Sequence, residues 1–138
     1  MQTKKFSRRL SPDYSELNRL GELVRGFGKE NSLSEKVLFN IVLTIEELVT
    51  NLIKYGTAEG VEHAIDVSLE IGRESVKIEI EDNGKPFNPM DALAPDLDCP
   101  VEEREPGGLG IFLVCKFAEA MSYERRGDKN RVVVVKRL

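Results

Sequence analysis

Residues 61–80 read VEHAIDVSLEIGRESVKIEI, and this stretch decides the fold. Apolar side chains take every second position before Gly72 and again after Ser75, with polar side chains between them. Such alternation is typical of strands with one buried face, and the break at 72–75 is typical of a turn. The stretch therefore predicts a β-hairpin with a first strand at 61–71 and a second that begins near Val76.

The segments on either side predict helices and further strands. Ser11-Pro12 is typical of a helix start, and Ser32 with Glu35 fits a capping box that opens a long helix. In chain order, the other predicted elements are a strand at about 4–10, a helix ending at Gly26–Gly28, the long helix at about 33–55, the hairpin, a helix at 108–118 and strands at about 120–125 and 131–136. Because hairpins separate the helices, we expect an α+β fold: a two-layer α/β sandwich whose mixed, mainly antiparallel sheet carries helices on one face.

Length and composition indicate one soluble globular domain spanning residues 1–138. Apolar residues make up 41% and charged residues 32%, which excludes a disordered chain. A net charge of −4 argues against direct nucleic-acid binding, because phosphate neutralisation needs a basic face. No run approaches the ~20 apolar residues of a membrane span. Cys99 and Cys115 fit no metal or redox spacing, which favours a reducing cytoplasm.

Two further features have ordinary structural interpretations. The basic side chains of the first strand are interpreted first as protection of an exposed edge and second as a docking site for an acidic partner; they are Lys4, Lys5, Arg8 and Arg9. His63, the only histidine, alternates in phase with the apolar positions of its strand. We interpret it as a sheet residue rather than a catalytic one.

The long predicted helix carries a narrow polar stripe. At about 100° per residue, five side chains fall on one side: Asn40, Thr44, Glu47, Asn51 and Lys54. On the helix alone, a solvated face is the preferred interpretation. However, Glu47 and Asn51 are four residues apart, so both can reach one ligand. An Asn oxygen suits Mg²⁺, and a carboxylate one turn earlier can take a proton from an attacking hydroxyl or water.

The second strand of the hairpin ends in the turn Asp82-Asn83-Gly84. This is a common turn sequence, since Asx side chains bond their own backbone and glycine accepts positive φ. The functional alternative is a carboxylate that accepts a hydrogen bond from the exocyclic amine of adenine, with Gly84 letting the base approach. Glu81 faces the opposite side of the strand, so Asp82 is the candidate.

A glycine run, Gly107-Gly108-Leu109-Gly110, opens the last predicted helix. Backbone amides at a helix start form an anion site when no side chains cover them. The run also suits a hinge for the proline-rich loop at about 88–106, which has the composition of a lid. Both interpretations can hold together.

Taken together, the three segments resemble the motifs of the GHKL ATPase superfamily, which includes gyrase, Hsp90, histidine kinases and MutL. Residues 47–51 with Lys54 resemble the N box, residues 82–87 the G1 box, and residues 108–110 the G2 box. Within the superfamily, the likeness is to the small serine/threonine kinases that act as anti-sigma factors. It covers residues from about 5 to 137 and implies a sandwich of the GHKL (Bergerat) type.

The resemblance implies a role for each matching residue. Asn51 would coordinate Mg²⁺, Glu47 would be the general base, and Asp82 would read adenine. The other implied ATP-binding residues are Lys54, Gly84, Pro86, Phe87, Gly107, Gly108, Leu109 and Gly110, with Arg104 as a candidate contact to the γ-phosphate. As a departure, residues 132–135 are all valine and lack the threonine that many members place near the adenine-reading acid. The surroundings of Asp82 therefore stay open.

The implied function is that of an ATP- and Mg²⁺-dependent protein serine/threonine kinase. Its substrate would be an anti-anti-sigma (STAS-domain) protein, its other partner a sigma factor, and it would work as a homodimer. Two alternatives remain: a non-catalytic module whose lid orders on ATP, and a stand-alone histidine-kinase-like ATPase domain. The lack of a phosphoacceptor helix pair disfavours the last.

Overall fold

Five strands form one sheet in the computed structural model, which describes residues 3–92 and 108–138. The strands are β1 (Lys4–Leu10), β2 (Ile65–Ile71), β3 (Ser75–Asp82), β4 (Ala120–Arg126) and β5 (Lys129–Arg137). Their order across the sheet is β1-β2-β3-β5-β4. Each neighbouring pair is antiparallel, so the sheet is antiparallel rather than mixed.

The β2–β3 hairpin forms where the alternation predicts it, but β2 begins at Ile65 rather than at Val61. The side chain of Asn83 bonds the segment before β2. It accepts from the Ala64 amide at 2.8 Å and donates to the Glu62 carbonyl at 3.0 Å. A side chain thus takes the place of a strand partner, and the regular ladder ends at Ile65.

In the described residues, three α-helices accompany the sheet: α1 (Tyr14–Glu30), α2 (Glu35–Tyr55) and α3 (Gly108–Phe117). α1 is capped by Asp13 rather than Ser11, since the Asp13 carboxylate accepts from the Ser15 amide at 2.8 Å. α2 is capped by Ser34 rather than Ser32, since the Ser34 hydroxyl accepts from the Val37 amide at 3.2 Å. Ser32 has a φ of 59°, whereas a capping residue takes an extended conformation.

The core lies between the helices and one face of the sheet. The inner positions of β2 and β3 are buried and, apart from Asp82, apolar, whereas the outer positions are polar and half-buried. Ile41, Ile45 and Val49 of α2 are almost completely buried in the same cluster. Burying one such side chain is worth about 1.5–3 kcal/mol, so this face fixes α2 on the sheet. The predicted two-layer α+β sandwich with helices on one face is confirmed.

β1 and β4 are the edges of the sheet. β1 is exposed along most of its length, and Arg9 pairs with Asp66 of β2 at 2.7 Å. Charged side chains on an exposed edge discourage pairing with another chain, in line with the first interpretation of the basic cluster. A docking role for that cluster stays a prediction.

The chain after β3 leads into a short 3₁₀ helix, Pro89–Ala92. Most of the predicted lid lies outside the described residues, as do Cys99, Arg104 and Gly107. Cys115 packs against the core, as predicted. Among residues 3–92 and 108–138, no helix combines the length and the apolar character needed to cross a membrane.

Candidate functional site

The polar stripe of α2 is mostly buried rather than solvated. Asn40, Thr44 and Asn51 are each no more than 6% exposed, Glu47 is half-buried, and Lys54 is exposed at the helix end. The interpretation of the stripe as a solvated face is therefore wrong. Burying polar groups costs free energy unless they find hydrogen-bond partners, so the stripe needs contacts of its own.

Asn51 presents an oxygen that can serve as a ligand. Its Nδ2 donates to the Glu47 carbonyl at 2.7 Å, which fixes the orientation of the amide. Within the described part of the chain, Oδ1 accepts no hydrogen bond. A side-chain amide oxygen is a hard, neutral donor, which Mg²⁺ uses together with phosphate oxygens and water. The donor set at this position fits a nucleotide-bound Mg²⁺ ion.

The Glu47 carboxylate lies one helical turn before Asn51 and has properties suited to a base. Burial raises the pKa of Glu47 above its usual value, the neighbouring Glu46 raises it further, and Lys54 partly offsets both. A carboxylate with a raised pKa holds a transferred proton better than an ordinary one.

α3 approaches α2 at Glu47. A Cβ atom added to Gly110 would overlap the Glu47 carboxylate, whose Oε1 would be 2.8 Å away and whose other atoms would be closer still. Only glycine allows this approach without displacing Glu47. The first turn of α3 therefore lies against the candidate base.

The Asp82 side chain is almost completely buried at the end of β3. Its Oδ2 lies 2.7 Å from Nε2 of His63 and accepts from the Gly84 amide at 3.0 Å. The interpretation of His63 as a sheet residue is wrong, because β2 begins at Ile65. Its alternating phase does indicate a buried side chain, but the sequence did not reveal its contact with Asp82. Together with Gly84, His63 makes up the surroundings of Asp82 that the sequence left open.

The Asp82–Gly84 turn is packed tightly against the end of α2. The Lys85 amide donates to the Gly56 carbonyl at 2.9 Å. A Cβ atom at Gly84 would overlap that carbonyl and would come within 2.8 Å of Asp82 Oδ2 and 2.9 Å of His63 Nε2. Glycine is required here because backbone and side chains meet with no space for a methyl group.

Side chains from the β4–β5 hairpin hold the other side of the turn. Asn130, 1% exposed, accepts from the Phe87 amide at 3.2 Å and donates to the Lys85 carbonyl at 2.8 Å. Arg125 donates to the Gly84 carbonyl at 2.8 Å. Neither residue was predicted, since no local motif links positions 125 and 130 to a turn some forty residues earlier.

A small hollow lies beside Asp82 between α2 and the sheet. Apolar side chains form most of its wall, and the lining residues are Leu48, Leu52, Ile80, Asp82, Phe87, Pro89, Asn130 and Val132. Leu48 and Leu52 directly follow Glu47 and Asn51 in α2, so the hollow and the polar stripe share one stretch of helix. Its volume of about 10 Å³ holds about one water molecule, so the hollow must widen before it can hold a purine.

A larger hollow of about 370 Å³ lies elsewhere, at the start of α1. It borders His63 and Asn83 but no residue of α2 or α3, and its wall is mainly polar, with Arg9, Glu16 and Glu62. We place the candidate site at the smaller hollow, because its wall includes Leu48 of the first motif and Asp82 and Phe87 of the second.

Glu47 lies against Gly110, and Asn51 bonds the Glu47 carbonyl one turn further along α2. Gly84 lies against Asp82, and both Asp82 and Phe87 line the hollow. Lys54 and Pro86 are exposed and lie outside its wall. The backbone of Gly108 and Leu109 forms the start of α3. Arg104 and Gly107 fall outside the described residues.

Comparison with known proteins gives the same family from sequence and fold. The serine/threonine-protein kinase BtrW of Bordetella bronchiseptica is 32% identical over 101 residues, which cover 73% of this chain and 71% of that protein. About a third of the structure of the RsbU and RsbW domains of Rv1364c from Mycobacterium tuberculosis shares the fold, with a TM-score of 0.68 at 14% identity; the match covers 98% of this chain and 32% of that one.

A histidine kinase domain from the blue-light activated histidine kinase of Erythrobacter litoralis EL346 also shares the fold, with a TM-score of 0.53 at 14% identity. That match covers 88% of this chain and 59% of the other. Residues 10–136 match the family described as the histidine kinase-like ATPase domain. The resemblance of the motifs to GHKL ATPases is thereby confirmed, and this chain belongs to the histidine kinase-like ATPase domain family.

Proposed function

We propose that this protein is an ATP-dependent serine/threonine protein kinase and an anti-sigma regulatory factor. In this proposal it phosphorylates an anti-anti-sigma partner with a STAS domain. The observation that supports the proposal best is the contact of Glu47 with Gly110 one helical turn before Asn51, on the same stretch of α2 whose Leu48 and Leu52 line a hollow with Asp82. In the proposed site, a base, a metal ligand, a helix start and a buried acid would surround one nucleotide.

The purine would enter the hollow beside Asp82, whose Oδ1 accepts no hydrogen bond from residues 3–92 or 108–138 and would accept from the exocyclic amine. The apolar side chains of Leu48, Leu52 and Val132 would cover its faces. The triphosphate would then extend along α2 towards Asn51, with the amides at the start of α3 donating to its oxygens. Asn51 Oδ1 would hold Mg²⁺, which neutralises charge on the phosphates.

Glu47 would act on the substrate hydroxyl. As the Ser or Thr oxygen attacks the γ-phosphorus, its proton passes to a Glu47 carboxylate oxygen. The bond between the γ-phosphorus and the β–γ bridging oxygen breaks, and ADP leaves with that electron pair. The products are a phosphorylated side chain, ADP and a proton that Glu47 later releases to solvent. Positioning and charge stabilisation supply most of the acceleration in such transfers.

The kinase activity is supported by a relative, whereas the STAS-domain partner is proposed from the resemblance of the motifs. BtrW is a serine/threonine-protein kinase, and in Rv1364c an RsbW domain occurs together with an RsbU domain. We further propose that this protein acts in the cytoplasm as a homodimer and binds a sigma factor as its second partner.

The first test measures the free energy of unfolding with and without nucleotide. Mg-ATP at a hundred times its dissociation constant should add about 2.7 kcal/mol. Asp82→Asn should abolish this gain, because it puts an amide in place of the acceptor. A wild-type unfolding curve that ignores Mg-ATP would refute the proposed site.

The second test follows transfer of labelled phosphate from ATP to candidate STAS-domain proteins. Glu47→Gln should keep Mg-ATP binding and lose transfer by about 10²–10⁴-fold, which is the usual range for general base catalysis. Glu46→Gln is the matched control and should transfer normally, because Glu46 lies off the stripe. Equal transfer by both variants would contradict the role of Glu47, and partner binding without transfer would favour a non-catalytic ATP-dependent module.

A further inference from the structure

The hydrogen bonds of Asp82 give its two carboxylate oxygens different roles. Oδ2 is bonded to His63 Nε2 and to the Gly84 amide, at 2.7 and 3.0 Å. Oδ1 accepts no hydrogen bond from residues 3–92 or 108–138, and the side chain lines the hollow. The carboxylate is thus held on one side and free on the side that a ligand would meet.

His63 is the donor in its pair with Asp82. An ionised carboxylate only accepts, and the Gly84 amide already donates to the same oxygen, so we assign the imidazole proton to Nε2. The His63 side chain is 2% exposed, and its Nδ1 has no partner within the described residues. The hydrogen bonding of this buried ring is directed at Asp82.

We infer that His63 is a positioning residue that pins Oδ2 of Asp82 and thereby makes Oδ1 the atom that reads position 6 of the purine. The inference rests on the proposed ATP site. A purine with a 6-amino group donates to Oδ1, whereas a 6-oxo purine would place one acceptor against another. Pinning keeps the carboxylate from turning away, so the preference for the amino form depends on His63.

The same geometry determines how Asp82→Asn should behave. Two donors, His63 Nε2 and the Gly84 amide, face the position of Oδ2, so the amide oxygen of the new Asn must lie there. Its NH₂ group then takes the place of Oδ1 and donates into the hollow. This variant should reject a 6-amino purine and accept a 6-oxo purine, provided that His63 holds the amide in this orientation.

The experiment compares the dissociation constants of Mg-ATP and Mg-ITP, since inosine differs from adenosine at position 6. The key variants are His63→Gln and His63→Met, which are close in size, but only Gln carries a donor at the place of Nε2. His63→Gln should stay within about threefold of wild type for ATP, and His63→Met should lose about tenfold or more, as for a hydrogen bond to a charged group. The dissociation constant of Mg-ITP should change little in either variant. The preference for ATP, which is the dissociation constant of Mg-ITP divided by that of Mg-ATP, should therefore fall only in His63→Met.

Asp82→Asn should prefer ITP over ATP by on the order of tenfold, and adding His63→Met should remove that preference. Unfolding curves without nucleotide show whether each variant is folded. If His63→Met does not fold, Asp82→Asn decides: preference for ITP supports the inference, while preference for ATP, no preference or no binding overturns it.

Failure of the inference and failure of the proposed site give different results. If wild-type protein does not bind Mg-ATP, the proposed site itself is refuted. If wild-type protein binds Mg-ATP but His63→Gln and His63→Met show the same preference for ATP over ITP, the proposed site stands and the role of His63 is refuted.

Discussion

Gly110→Ala should displace the candidate base Glu47 while leaving the stability of the fold nearly unchanged. The added methyl group would overlap the Glu47 carboxylate, which is the far end of a flexible side chain. Turning that side chain off its preferred rotamer costs about 0.5–1.5 kcal/mol. Alanine in place of glycine returns about 0.5–1 kcal/mol of helix propensity to α3. The two terms nearly cancel, so the free energy of unfolding should change by less than about 1 kcal/mol.

The expected loss is in phosphoryl transfer. Displacement of a catalytic group by about 1 Å can cost 10²-fold in rate, so Gly110→Ala should transfer about a hundred times more slowly than wild type. Single-turnover transfer from labelled ATP measures this, with nucleotide binding followed by the Mg-ATP-induced increase in stability.

Two other glycine variants serve as controls. Gly26→Ala, in an open position of α1 with no atom within 4 Å of the new methyl group, should be slightly stabilised and fully active. Gly84→Ala overlaps the Gly56 carbonyl, which is backbone and cannot turn away, so it should lose about 1–3 kcal/mol. Transfer at the wild-type rate by Gly110→Ala would refute the placement of Glu47 against α3. Loss of Mg-ATP binding by Gly110→Ala would instead indicate that Gly110 contacts the phosphates.

Three further predictions follow from single contacts. Glu47→Gln should be more stable than wild type at neutral pH, because the raised pKa of Glu47 means that its ionised form lowers the free energy of unfolding there. Thermal unfolding should show this difference in stability shrink as the pH falls towards about 4.3, the ordinary glutamate pKa. Asn130→Ala should lose about 1–3 kcal/mol in denaturant unfolding, since it leaves buried partners of Asn130 unpaired, and an unchanged midpoint would contradict its anchoring role. Asn51→Ala should unfold no more easily than wild type, because alanine favours helix, yet its stabilisation by ATP should no longer depend on Mg²⁺ in a titration with EDTA.

The fold was predictable because its signals are local and repeated. The alternation on both sides of Gly72 specifies the hairpin, and the apolar face of α2 specifies a helix against a sheet. The helix caps were harder to predict, since Ser32 and Ser34 are the same residue type two positions apart in the sequence. Only the backbone conformation, with positive φ at Ser32, distinguishes them.

Contacts of the candidate site could be predicted when both residues lie in one sequence motif. Contacts between elements that are distant in the sequence could not. The spacing of Glu47 and Asn51 places both on one side of a helix in any helical structure. The pairing of His63 with Asp82 depends on the register of β2 against β3 and on the path of the chain before β2. The contacts of Asn130 and Arg125 depend on β5 lying next to β3, and neither composition nor periodicity indicates that topology.

The nearly closed hollow beside Asp82 bears on how fast nucleotide can exchange. Phe87 and Pro89 belong to its wall, so in the proposed site a base would enter or leave as that wall moves. The observed affinity would then be the intrinsic affinity multiplied by the fraction of molecules that are open. Because Asn130 holds the Phe87 amide, movement of Phe87 would involve the β4–β5 hairpin, and in the proposed kinase the release of ADP would depend on the same movement as the arrival of ATP.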